Sequence, residues 1–78
     1  MTPGTDYAFD LPVLLRSPSG TLIRTVEQAA CILRSNIRER FTMEGLNTLL
    51  MLERAEEGDE IQEARRAFCS WASHEGLA

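Results

Sequence analysis

Seventy-eight residues, 44% hydrophobic and 26% charged, have the make-up of one small globular domain rather than a disordered chain. A chain of this length buries only about 60% of its unfolded surface, so its core is small. The net charge of −4 opposes binding to phosphate backbones, and no apolar run approaches the roughly 18 residues of a membrane span.

Met1 to Tyr7 is polar and includes Pro3 and Gly4. It has neither the basic start nor the apolar run of a secretory signal, so the expected location is cytoplasmic. Residues 1–8 are expected to form a frayed tail ahead of one domain over 9–78, with Phe9 the first side chain to touch its body. Leu11 to Ser17 reads as a strand, with Pro12 at its start, where a missing N–H is tolerated. Ser17-Pro18-Ser19-Gly20 is a turn. A two-residue type I′ loop needs positive φ at Pro18, which the ring forbids, so the sequence predicts a type I turn with Gly20 in a left-handed bulge. That turn sets Leu14 opposite Arg24, Leu15 opposite Ile23 and Arg16 opposite Leu22. One hairpin face then collects Val13, Leu15 and Ile23 and should lie on the helices. The other carries Leu14, Arg16, Leu22 and Arg24.

Thr25 begins a helix that runs to about Arg40. Gln28, three residues on, can reach back to the backbone of Thr25, which makes Thr25-Val26-Glu27-Gln28 a capping box. Val26, Ala29, Ala30, Leu33 and Ile37 form one apolar stripe at 100° per residue. Ser35 to Thr42 is charged and contains the turn that follows. Thr42 caps a second helix from about Met43 to Glu57, in which Gly45 is unfavourable by about 1 kcal/mol relative to alanine. Leu46, Leu49 and Leu50 are its predicted buried stripe. Met51 and Leu52 fall outside that stripe, so the helix is apolar over most of its girth. Gly58 is expected to end it and Asp59 to cap a third helix reaching His74, with Ile61, Ala64, Phe68, Trp71 and Ala72 on one face beside the stem of Arg65. Gly76 is the expected stop. The fold class is therefore α+β, a two-stranded antiparallel hairpin followed by three helices.

No residue constellation points to catalysis, a cofactor or a metal. Cys31 and Cys69 stand alone, with no paired spacing to bind zinc alongside the one histidine, and read as free thiols. His74 sits in a last helical turn, where the macrodipole favours a cation, and no partner residue is placed beside it by sequence. Glu56, Glu57, Asp59, Glu60 and Glu63 lack the spacing of a calcium loop and read as a solvated helix junction. Charge is uneven: residues 1–40 hold five arginines against four acids, and residues 41–78 three against eight. Arg16, Arg24, Arg34, Arg38 and Arg40 could form a modest basic patch, but the overall acidity makes nucleic-acid binding the weaker reading.

Phe9-Asp10-x-Pro12-Val13, then Val26-Glu27-Gln28-Ala29-Ala30 with Leu33, then Ala64-Arg65-x-Ala67-Phe68 resemble domain of unknown function 982, a group of short proteins found mainly in rhizobia and related alphaproteobacteria. The resemblance spans about residues 9 to 77. Members usually show Trp-Pro near the end of the first helix, where this chain has Asn36-Ile37-Arg38-Glu39. The resemblance implies a small cytoplasmic α+β domain and carries no activity, cofactor or substrate.

The expected function is a non-enzymatic protein-interaction module that self-associates. One helix cannot bury Leu46, Leu49, Leu50, Met51 and Leu52 together against so small a domain, and Leu14 and Leu22 pose the same problem on the hairpin. Leu14, Leu22, Met51 and Leu52 are thus the candidate interface residues of a two-fold homodimer. In a competing monomer, Met51 and Leu52 would pack under the hairpin. The alternative function is a nucleic-acid-associated regulator using the arginines of the hairpin and first helix.

Overall fold

The computed structural model describes residues 8–16 and 20–77. Strands β1 (Ala8–Leu15) and β2 (Thr21–Thr25) form a two-stranded antiparallel sheet, followed by helices α1 (Val26–Glu39), α2 (Met43–Arg54) and α3 (Gly58–His74). This is the expected ββααα order. The inner sheet face lies on α1 and α3, and α2 packs on α1 and α3. Among the described residues no helix is long and apolar enough to cross a membrane.

The inner face is the one alternation predicts: Val13, Leu15 and Ile23 are buried, and Leu14, Arg16, Leu22 and Arg24 are exposed. The register differs from the expected one by two residues, with Val13 opposite Ile23, Leu14 opposite Leu22 and Leu15 opposite Thr21. An even offset preserves the face of every side chain, so the pattern was right where the pairing was not. The last pair is Leu15 with Thr21; just beyond it the Arg16 N–H donates to the carbonyl of Leu77 at 2.6 Å, and the Arg16 carbonyl accepts from Gly20 N–H at 3.4 Å. Gly20 has φ of 71°, the expected left-handed conformation. The expected tail residues 1–7 and the turn positions Ser17, Pro18 and Ser19 lie outside the described residues.

β1 starts at Ala8, opposite Thr25, so Ala8 belongs to the sheet and Pro12 is inside a strand rather than at its start. The pairing is irregular between Ala8 and Val13, and in a two-stranded sheet β1 has one edge with no strand beside it, a position that tolerates proline. Helix α3 serves that strand instead. Gln62 accepts from Asp10 N–H at 3.0 Å, and the Arg65 guanidinium donates to the Leu11 carbonyl at 2.7 Å.

Helix α1 begins with the expected capping box. Thr25 accepts from Gln28 N–H at 3.2 Å, and the Gln28 side chain accepts from the N–H groups of Thr25 (3.3 Å) and Arg24 (2.7 Å). Thr42 caps α2 by accepting from Gly45 N–H at 3.0 Å. Helix α2 stops at Arg54, shorter than expected, because the buried Ala55 turns extended. Gly58 is the first residue of α3 rather than the end of α2, and Asp59 lies in the first turn rather than at the cap. The cap is Glu57, and Glu60 reaches back to accept from the N–H groups of Glu56 (2.9 Å) and Glu57 (3.2 Å). Those two donors hold the Glu60 carboxyl below its ordinary range.

Helix α3 ends in a Schellman motif. Gly76, at φ of 77°, donates to Ser73 at 3.1 Å, and Leu77 donates to Ala72 at 2.8 Å. Leu77 then packs on the core while its carbonyl takes the Arg16 N–H, which ties the segment following α3 to the end of β1.

One core joins these elements. Leu15, Leu33 and Phe68 expose no surface, and Trp71 only 1%. Phe68 and Trp71 are tilted neighbours with ring centroids 5.7 Å apart. Burying each such side chain contributes roughly 1.5–3 kcal/mol.

Candidate functional site

Helix α2 meets the core on a face that its leucines did not announce. Gly45, Thr48 and Leu52 are buried, Leu46 and Leu49 are half-buried, and Leu50 and Met51 are each 37% exposed. The buried side is turned by roughly 120° from the expected Leu46–Leu49–Leu50 stripe at 100° per residue. The cause is Trp71. A Cβ on Gly45 would lie 3.1 Å from the Trp71 indole nitrogen, 3.0 Å from the Thr42 hydroxyl and 3.5 Å from Ile37, so the bare glycine lets α2 settle against the indole. Thr48 is tolerated on this face because its hydroxyl donates to the Glu44 carbonyl at 2.8 Å. Leu52, a candidate interface residue from sequence, is 1% exposed and belongs to the core. It falls on the same side of α2 as Gly45 and Thr48.

The remaining candidates are on the surface. Leu14 (59% exposed) and Leu22 (37%) face each other across the strands on the outer sheet face, and Met51 flanks the outward side of α2. Sequence reasoning passed over Phe41 (59%) and Met43 (61%), which lie just before and at the start of α2, and assigned Leu50 to the interior. The missed signal is the spacing of Met43, Asn47, Leu50 and Arg54. These four fall within about 60° of arc, a second apolar-centred line opposite the buried one. Leu11 is also 63% exposed, next to the irregular pairing in β1.

The arginines do not gather into one patch. Arg34 pairs with Glu53 at 3.1 Å, and Arg40 approaches Glu75 at 3.8 Å. On the hairpin the register places Arg16 and Arg24 at opposite ends of the Leu14–Leu22 pair, four residues or roughly 13 Å apart along the strands. The expected register would have brought them to roughly 7 Å. Their fields overlap little beyond a screening length of about 8 Å at physiological salt.

His74 has a partner that the sequence did not disclose. Its Nδ1 lies 2.9 and 3.0 Å from the two carboxylate oxygens of Glu44, thirty residues away in the first turn of α2. That hydrogen bond and the carboxylate's charge hold His74 above its ordinary value of 6.5, and Glu75 adds in the same direction. The pair is open to solvent and ties the start of α2 to the end of α3.

Cys31 is exposed and Cys69 half-buried, and both are free thiols. Among the described residues no cluster of three or more histidines, cysteines or carboxylates is placed to hold a metal ion, and no buried polar side-chain atom lacks a hydrogen-bond partner. Shallow recesses occur beside α2, where Met51, Arg54, Ala55, Glu60 and Glu63 meet, and beside β2, where Leu22, Gln28, Cys31 and Ile32 meet. The chain matches no family model, no curated protein and no solved structure.

Proposed function

We propose that this protein is a non-enzymatic interaction module whose first partner is a second copy of itself, acting in the cytoplasm. The observation that supports the reading is the exposed apolar surface. Leu11, Leu14, Leu22, Phe41, Met43, Leu50 and Met51 are all at least 37% exposed in a chain of 78 residues. Leu14 and Leu22 share the outer hairpin face, and Phe41, Met43, Leu50 and Met51 lie on the outward side of α2 and in its preceding loop. Clusters of this kind mark interaction surfaces, and a domain with so small a core gains stability by covering them. The resemblance to domain of unknown function 982 is part of the same proposal and brings no activity with it. Sedimentation equilibrium tests the reading. At tens of micromolar the expected mass is twice 8.8 kDa; a mass that stays at the monomer value overturns it.

The nucleic-acid reading is weaker, because Arg34 and Arg40 face acidic partners and Arg16 and Arg24 stand apart.

A further inference from the structure

The two strands of the sheet differ in what meets them on the side away from the hairpin partner. β1 is served by α3 and the segment that follows it: Gln62 accepts from Asp10 N–H, Arg65 donates to the Leu11 carbonyl, and the Leu77 carbonyl accepts from Arg16 N–H. β2 has no such cover. Beside it lies the recess where Leu22, Ile23, Gln28, Cys31 and Ile32 meet.

In an antiparallel ladder the bonded pairs alternate, so residues two apart direct their N–H and C=O groups to the same side. The N–H groups of Arg16 and Arg24 are both taken outside the ladder, the first by Leu77 and the second by the Gln28 side chain at 2.7 Å. Leu14 and Leu22 stand opposite each other between them and therefore form a pair without ladder bonds, which fall instead to Val13–Ile23 and Leu15–Thr21. The N–H and C=O of Leu22 point away from β1, and neither has a partner among the described residues. An open strand edge calls for a particular occupant, another extended strand that supplies the missing acceptor and donor.

A second copy of β2 meets that requirement by symmetry. Antiparallel pairing about a two-fold axis at Leu22 lets the two Leu22 residues exchange both N–H···O=C bonds. Thr21 then stands opposite the other copy's Ile23, and Gly20 opposite its Arg24, so no arginine faces an arginine across the new pair. On the outer face Leu14 and Leu22 of each copy join as one row of four leucines. Beneath the sheet α1 packs on β2, and its arc bordering the recess, Gln28, Cys31, Ile32 and Ser35, carries no charge. Glu27, Arg34 and Arg38 fall outside that arc, and Glu39 joins it only roughly 10 Å beyond Ile32 along the helix. Two copies thus bring these arcs towards each other without like charges near the axis.

Resting on the self-association reading above, we infer that the open edge of β2 is the contact between two copies, joined about a two-fold axis at Leu22 into a four-stranded antiparallel sheet in the order β1–β2–β2–β1. β2 has only five residues, so the contact is small beside the roughly 800 Å² per partner of a standard interface, and the dimer is reversible and concentration-dependent.

The test reads the backbone of the full-length protein. Amide hydrogen exchange followed by NMR below and above the association midpoint from sedimentation should show the Leu22 amide slowed by roughly tenfold or more in the dimer. The Ile23 amide, already bonded within the hairpin, should change less. With Cys31→Ala and Cys69→Ala in place, Leu22→Cys should form an intermolecular disulfide under mild oxidation, because the paired Cα atoms lie about 5.5 Å apart. Leu14→Cys should not, since the two copies of that residue are three strand spacings or roughly 14 Å apart. Leu22→Pro removes the edge donor without touching a ladder bond, and should weaken the dimer by roughly tenfold or more while circular dichroism stays native. The exchange and disulfide results decide the matter even where Leu22→Pro fails to fold. A monomer throughout overturns both this inference and the reading it rests on. A dimer in which the Leu22 amide exchanges as fast as in the monomer, or in which position 14 cross-links and position 22 does not, overturns only this inference. A monomer whose Leu22 amide is slowed by an added synthetic peptide of alternating valine and threonine overturns the second copy as occupant and gives the edge to a foreign strand.

Discussion

Helices α2 and α3 are built from similar shares of apolar residues and use them differently. On α3 the apolar residues form one stripe, and Ile61, Ala64, Phe68, Trp71 and Ala72 are all buried. On α2 the apolar residues surround the axis, so no single face is marked as inner, and half of that surface faces solvent. A helix with one stripe has its orientation decided by hydrophobic burial alone. A helix that is apolar all round has it decided by shape, here by which side can approach Trp71 most closely. Gly45, unfavourable on propensity, is the residue that decides it.

Substitution on the two sides of α2 tests this difference most strongly. Leu52→Ala empties a site that is 1% exposed and should lower stability by about 2–5 kcal/mol. Leu50→Ala, at 37% exposure, should change stability by about 0.5 kcal/mol or less. Urea denaturation of both at one protein concentration gives the order. If Leu50→Ala proves the more damaging, α2 is rotated from the orientation described.

Gly45 offers a finer probe. Valine there adds two methyl groups beyond a Cβ that already meets Thr42 and Trp71 at 3.0 and 3.1 Å, so Gly45→Val should cost about 1–3 kcal/mol despite removing a helix-interior glycine. Trp71 fluorescence should report the disturbance, since its indole is the group displaced. A stabilised Gly45→Val variant would show that α2 does not depend on close approach to the indole.

The smallest effect is at the link between the two helices. His74 is held above its ordinary 6.5 by Glu44, so protonation favours the folded state. The contribution is fully present below the unfolded value near 6.5 and is lost as pH rises through the higher folded value. Proton NMR of the single histidine should place its midpoint above 6.5, and Glu44→Gln should bring it down. A midpoint unmoved by that substitution would mean that the pair does not form in solution.

Local chemistry in the chain was enough to determine the element order, the Thr25 and Thr42 caps, the left-handed Gly20, the stop at Gly76, the inner hairpin face and the stripe of α3. Each depends on residues a few positions apart, whose hydrogen bonds and periodicity can be read in one dimension. Tertiary structure alone decided three things. The hairpin register is two residues from the one the turn rules give, and the strand end it leaves is bonded through Arg16 to Leu77, sixty-one residues later. The pairing of His74 with Glu44 depends on how α2 meets α3. The inner face of α2, and with it the removal of Leu52 from the surface and the exposure of Met43 and Leu50, follows from the fit of Gly45 against Trp71. Hydrophobic pattern specifies a face only where polar residues mark the other one, and on α2 they do not.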